Sequence, residues 1–267
     1  MKKLRMILTI TIIIAAAVLW AGCTGTTVPP ADLKYQIDPQ TSLEYSMYTA
    51  VSGQNATTES QTLVMSVSER NGDMITWDAG TRNPAADSTA PAAPFRFSMN
   101  SRGILSNLPP EKQMIVNMMT FPNTLVYPES PVRAGDTWQY SPVYQGTMNV
   151  SDIPVEYRYT AENTFTYQGT APMTVAAGTF DSSHILHTGK SRLTFMMPVG
   201  NQTVITTIEG NYHGDNWVTV REGYLVKSGY ETDTTTIIDA SSMTGDPMGL
   251  SMMGSTSHSQ TSAELQR

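Results

Sequence analysis

The chain reads as mainly β: a β-rich α+β protein whose antiparallel sheet curls into a half-barrel, with one short helix and an N-terminal signal helix ahead of it. Three observations predict this. Apolar and polar residues alternate in one segment after another, at intervals of about ten residues, with glycine-bearing turns between them. Charged residues make up only 15% of the 267 positions, while Ser, Thr and Asn abound. That composition suits a sheet with one buried and one solvated face better than a cytosolic helical enzyme. Helical spacing is convincing in only one segment beyond the N-terminus.

The N-terminus comes first. Lys2, Lys3 and Arg5 precede an almost wholly apolar run, Met6 to Leu19, which closes with Trp20-Ala21-Gly22-Cys23. The layout resembles a lipoprotein signal peptide over 1–22, and the resemblance implies a diacylated Cys23 as the new N-terminus. The run also lies near the lower edge of the roughly 20 apolar residues a spanning helix needs, so an uncleaved anchor is the alternative. Either way, positive charge before the run places the bulk of the chain outside the cytoplasm. Two acyl chains would hold it there stably. Residues 23–32, with Pro29-Pro30, read as a semi-rigid tether. Cys23 is the only cysteine, so no disulfide framework supports the core.

Residues 33–240 read as the antiparallel β-rich domain. Leu43, Tyr45, Met47 and Tyr48 begin a strand; Leu63, Met65 and Val67 share a face of the next. Asn71-Gly72 is a hairpin turn, since both residues tolerate positive φ, and Met74 to Trp77 returns. Residues 81–94 are a loop, and Phe95 to Met99 alternates again. Pro109-Pro110-Glu111 then opens the one short helix, with Met114, Ile115, Met118 and Met119 on one face. Beyond Phe121, strands run through Trp138 and Tyr140, Tyr157 and Tyr159, and Phe165 and Tyr167. Ala176-Ala177-Gly178 turns into Phe180–His187, and Arg192–Met197, Thr203–Ile208, Trp217–Val220, Tyr224–Lys227 and Thr232–Ile238 follow. His213-Gly214-Asp215 reads as another hairpin turn. Residues 241–267, rich in Ser, Thr and Met, read as a disordered tail. One helix cannot cover so many strands, so the sheet must curl as a half-barrel, close, or pair as a sandwich. The curled form with the helix in its concavity is preferred. A division into two β units near 120–131 stays open.

Pro131-Val132-Arg133-Ala134-Gly135-Asp136-Thr137-Trp138, Ala177-Gly178-Thr179-Phe180-Asp181, Trp217-Val218-Thr219-Val220 and Gly223-Tyr224-Leu225-Val226-Lys227 occur in that order. This succession resembles uncharacterised secreted or lipoprotein β-rich domains of bacterial and archaeal envelopes, some akin to the curled-sheet lipoprotein carriers of the LolA and LppX type. The resemblance covers roughly 121–238. It implies a fold and an envelope location, and carries over no catalytic residue.

The chemistry-bearing residues are sparse. His184 and His187 are three apart, which on a strand puts them on opposite faces and forbids a shared metal. There is no Gly-x-Ser-x-Gly elbow, no His-Glu-x-x-His and no phosphate-binding glycine loop. Glu59, Glu69, Glu209 and Glu231 look like acids on solvated strand faces. Met243, Met248, Met252, Met253 and His258 crowd the tail without a tight repeat. No catalytic residue, metal or cofactor is expected. Removing Lys2, Lys3 and Arg5 from a formal net charge of −7 leaves −10, which repels nucleic acid. Sequons at Asn55, Asn149 and Asn201 are glycan acceptors should the host glycosylate its surface proteins.

The expectation is therefore a membrane-anchored extracytoplasmic lipoprotein with a non-enzymatic binding or envelope role. Its partners would be the membrane, through Cys23, and an envelope protein or hydrophobic ligand. The alternative is a carrier of a lipid or other apolar ligand against Met114, Ile115, Met118, Met119, Trp138 and Phe165. A hydrolase with an unrecognised site is a second alternative.

Overall fold

The computed structural model describes residues 29–53, 56–82, 95–106, 108, 125–150, 152–240 and 252–267. Its strands are β1 (Ser42–Gly53), β2 (Thr57–Asn71), β3 (Met74–Arg82), β4 (Phe95–Asn100), β5 (Leu105–Ser106), β6 (Thr137–Tyr140), β7 (Val143–Val150), β8 (Ile153–Val175), β9 (Gly178–Val199), β10 (Gln202–Thr219), β11 (Leu225–Asp239) and β12 (Met252–Leu265). They form one antiparallel sheet in the order β5-β4-β3-β2-β1-β12-β11-β10-β9-β8-β6, with β7 also on β8. The fold is mainly β, a curled half-barrel.

Alternation builds the inner face. Leu43, Tyr45 and Met47 of β1, Leu63, Met65 and Val67 of β2, and Ile75, Trp77 and Ala79 of β3 are all buried. The strands are longer than their sequence signals. Phe180–His187 and Arg192–Met197 are both parts of β9, and Thr203–Ile208 and most of Trp217–Val220 belong to β10. Two glycines, one of them read from the sequence as a turn residue, lie inside strands opposite tyrosines. Gly189 pairs with Tyr212 and Gly214 with Tyr230. A Cβ on Gly189 would meet the Tyr212 ring at 2.5 Å, and one on Gly214 the Tyr230 ring at 2.7 Å. The missing side chain makes room for the neighbouring ring. His213-Gly214-Asp215 is accordingly mid-strand and not a turn. The first hairpin also shifts by one residue: Asn71 pairs with Met74, so the turn is Gly72-Asp73, with Gly72 at φ 61°.

The concavity is filled at one end by two extended segments. Leu33, Tyr35 and Ile37 are buried on one, Leu125, Tyr127 and Val132 on the other. The Tyr35 hydroxyl donates to the Leu125 carbonyl (3.1 Å) and accepts from its amide (2.8 Å). Its ring packs on Tyr127 at 4.9 Å, and Tyr127 donates to the Gly223 carbonyl at 2.5 Å. Tyr45 donates to Leu225 O at 3.1 Å. Burial pushes the phenol pKa values of Tyr35, Tyr45 and Tyr127 upward, so these groups stay protonated donors. Register shifts at Tyr167/Gly169 and Trp217/Val218 lie on either side of the β9–β10 pair, and such bulges bend and twist the strands that carry them.

Two boundaries move. Ala31 already bridges Val132, and Asp32 pairs with Lys34 and Arg102, so the last residues of the expected 23–32 tether belong to the domain. The expected disordered tail is corrected over 252–265, which is β12, paired with both β1 and β11. Its inner face carries Ser255, Ser257, Ser259 and Thr261 before Ala263 and Leu265, so hydrogen bonding on both edges, more than apolar alternation, makes it a strand. The two β units suggested for a split near 120–131 are one sheet, joined by this strand. The signal segment, the helix with Met114, Ile115, Met118 and Met119, and 241–251 lie outside the described residues. Among the described residues no helix is long and apolar enough to cross a membrane.

Two outcomes are expected. Deleting 252–267 strips Tyr45–Gly53 and Lys227–Asp239 of their ladder partners, so the single thermal transition in circular dichroism should be lost and trypsin should cut both halves. A truncated chain that melts like the full one contradicts the joining role of β12. Gly223→Ala would put a Cβ 2.2 Å from the Lys34 carbonyl oxygen at φ 75°. Urea denaturation should show a loss of about 2 kcal/mol or more.

Candidate functional site

The outer face carries a groove of about 530 Å³ over β10, β11, β12 and β1. Strand pairing aligns its residues in two rows. Asp215 faces Gly229, which faces Ser262, which faces Tyr48; in the next row His213, Glu231, Gln260 and Ala50 follow one another. Their strand neighbours Asn216, Tyr230, Ala263 and Met47 are buried on the inner face, so these side chains point outward. Gly229 leaves the floor low, and Tyr48, 45% exposed, stands at the β1 side. A larger depression of about 570 Å³ along Pro128–Trp138 is lined by loop residues and the start of β6. The groove differs in drawing oriented polar side chains from four neighbouring strands.

Its two acids are held in place. The Asp215 Oδ2 accepts from the Trp217 indole at 2.9 Å, with His184 Nε2 at 3.6 Å. Trp217 and His184 stack nearly flat, 4.1 Å apart. The Asp215 Oδ1 lies over the floor, 3.5 Å from where a Gly229 Cβ would sit. Glu231 is flanked on both sides: His213 Nε2 is 3.4 Å from its Oε2, and the Gln260 amide donates to its Oε1 at 3.5 Å. Beyond the groove the outer face is ruled by exposed cross-strand pairs, Lys190–Glu162 at 3.1 Å, Arg192–Glu209 at 3.4 Å and His258–Asp233 at 2.9 Å. Such pairs contribute little to stability and keep the face wet.

The inner face holds a polar network beneath it. Asn163 donates its amide to the Tyr140 carbonyl at 2.8 Å, which directs Oδ1 toward His187 Nε2 (3.0 Å) and the Tyr212 hydroxyl (2.7 Å). That arrangement makes His187 the neutral Nε2–H tautomer, with Nδ1 accepting from the Tyr230 hydroxyl at 2.9 Å. Asn216 donates to the same hydroxyl at 2.5 Å, and the Phe165 ring covers the imidazole at 4.2 Å. Desolvation lowers the His187 pKa to about 3, and burial raises that of Tyr230. With both imidazole nitrogens bonded and Phe165 on its face, the network is a structural element of the sheet.

The structure brings together some of the residues singled out by the sequence. Trp138 and Phe165 stack at 5.3 Å, and the Trp138 indole donates to Val126 O at 2.7 Å. The void over Tyr35, Tyr45, Trp77 and Met99 measures only about 10 Å³, no more than one water needs. Met114, Ile115, Met118 and Met119 lie outside the described residues, as do Cys23 and Asn55. Asn149, on β7, and Asn201, at the β9–β10 turn, are exposed. His184 and His187 stand on opposite faces. Sequence reasoning missed Tyr48, Gln260 and Ser262 and took Asp215 for a turn acid. No local pattern could have gathered them, because the register of four strands does so.

No family model and no curated protein matches the chain. Solved structures similar to it include a protein from Bacteroides fragilis described as exported and of YmcC-like fold, at 10% identity, covering 88% of this chain and 98% of that one with a TM-score of 0.36. A protein from Parabacteroides distasonis described as a lipoprotein shows 13% identity, 88% and 99% coverage and a TM-score of 0.37. The hypothetical lipoprotein YmcC of Escherichia coli shows 10%, 87% and 91%, and 0.24. At these scores the likenesses carry no argument about this chain.

The buried imidazole sets a pH dependence. An unfolded His titrates near 6.5 and His187 near 3, so between those values the unfolded chain binds the extra proton. Stability should be intact above about pH 6.5 and fall toward pH 3 by up to about 1.4 kcal/mol per unit from this residue. Urea midpoints at pH 7, 5.5 and 4.5 measure it, and a flat profile over that range contradicts the assignment.

Proposed function

We propose that the protein is a lipid-anchored lipoprotein on the extracytoplasmic face of the cell membrane, its β-rich domain serving as a non-enzymatic binding module of the envelope. The observation that carries this reading is the N-terminal order: Lys2, Lys3 and Arg5, the apolar run, then Cys23, then a short polar stretch to the start of the folded domain near Ala31. A charge of −10 beyond the signal disfavours nucleic acid and any polybasic grip on anionic lipid, so attachment rests on the acyl chains. The groove supports a binding role, since it is of ligand size and its polar groups sit on paired strands.

A carrier of an apolar ligand is the second reading, favoured by the Trp138–Phe165 pair on the inner face. The plug leaves a guest little room among the described residues, so the carrier reading weighs less. Native mass spectrometry of gently purified protein tests it through an added mass that organic extraction removes.

Growth with an alkynyl palmitate tests the anchor. The wild-type chain should be labelled and sediment with membranes. Cys23→Ser should lose the label and keep its signal segment. An unlabelled wild-type chain of unprocessed mass in the membrane fraction would instead show an uncleaved anchor and overturn the lipoprotein reading.

A further inference from the structure

We infer that the outer-face groove over β10, β11, β12 and β1 is a binding site for an uncharged oligosaccharide, with Tyr48 as stacking platform and Asp215, Glu231 and Gln260 as hydrogen-bond partners. This rests on the reading of the domain as a binding module and names its ligand class.

The chemistry of the walls carries the argument. A sugar ring offers two kinds of surface, an apolar C–H face and a rim of hydroxyls that both donate and accept. Tyr48 presents an exposed aromatic ring for the first. Planar carboxylate and amide groups meet the second, and charge-assisted acceptors hold hydroxyls best. Asp215 supplies Oδ1 over the floor, because Trp217 and His184 occupy its Oδ2 side. Glu231 and Gln260 stand side by side on adjacent strands, and Ser262 adds a hydroxyl between Gly229 and Tyr48. These orienting contacts fix the polar atoms before a ligand arrives, which limits the entropy lost on binding.

Size agrees. Three strand spacings separate β10 from β1, about 14 Å, which matches about two pyranose rings laid across the strands. The volume of about 530 Å³ holds a ligand of that size. The lining does not favour a cation. The Gln260 amide donates to Glu231 and the Trp217 indole to Asp215, so both acids already have donors. The described residues also bring together no group of three metal-ligating side chains.

Gly229 gives the sharpest handle. A Cβ added there meets only Asp215 Oδ1, at an ordinary 3.5 Å, and its φ is not in the left-handed region. Gly229→Val should therefore fold and melt no lower than the wild type, because a β-branched residue suits a strand interior better than glycine. It should nonetheless raise the groove floor into the ligand. The experiment is isothermal titration of the full-length protein in a non-glycosidic detergent with maltotriose, cellobiose, N,N′-diacetylchitobiose and spermidine.

Saturable binding of one of the sugars is expected, weakened at least about tenfold in both Gly229→Val and Tyr48→Ala, with thermal melts showing both variants folded. No response to any of the three sugars overturns the proposal. So does a response to spermidine alone, which would make the groove a cation site, or sugar binding that Gly229→Val leaves unchanged. Failure here leaves the anchor untouched, because acyl labelling reads that separately.

Discussion

The C-terminal strand β12 is the constraint on which the rest of the structure depends. It lies between β1 and β11 and gives its backbone to both. Without it, β1 and β11 would each face water along an unpaired edge, and the two meanders would be separate sheets. With it, the first and last strands become the middle of one sheet. The last residues extend the tie: Glu44 exchanges backbone hydrogen bonds with Gln266 and Arg267, and its carboxylate meets both Arg82 and Arg267.

A sheet this wide needs a reason to curl in one direction. The plug of Tyr35, Tyr127 and their neighbours supplies it at one end, where it fixes the β4–β5 and β10–β11 loops at once. Tyr35 N bonds Ser101 O, Gln36 N bonds Glu222 O, and Tyr127 bonds Gly223 O. Gly103 and Gly223 are positive-φ glycines at which the plug passes too close for any Cβ. Beyond the plug, large side chains give way to glycine–tyrosine pairs and to the network around His187. There the inner face is covered by rings packed beside the sheet, and Asn163, His187, Tyr212, Tyr230 and Asn216 are linked by hydrogen bonds.

The two faces then divide the work. The inner face holds the fold together with no disulfide. The outer face carries exposed ion pairs that contribute little to stability and is free to present a groove. Asp215 links the two roles. It sits beside Asn216, which points inward to Tyr230, while its own carboxylate points outward, braced by Trp217. The groove therefore sits on strands that are each paired on both edges.

The sequence by itself determined the class of the protein. Alternation at Leu43–Met47, Leu63–Val67 and Ile75–Trp77 is written into each strand, because a half-buried strand must repeat every two residues. The turns at Gly178 and Gly223 were legible for the same local reason, as was the placement of His184 and His187 on opposite faces. Tertiary structure alone decided three things. Glycines 189 and 214 belong to strands, since their partners are rings or backbone on neighbouring strands and not the residues beside them. The Ser-rich segment 252–265 is a central strand, because ladder hydrogen bonds on both edges leave no hydrophobic signature. And Tyr48, Asp215, Glu231 and Gln260 form one site only through the register of four strands, since residues far apart in the chain share a surface only after the sheet has paired.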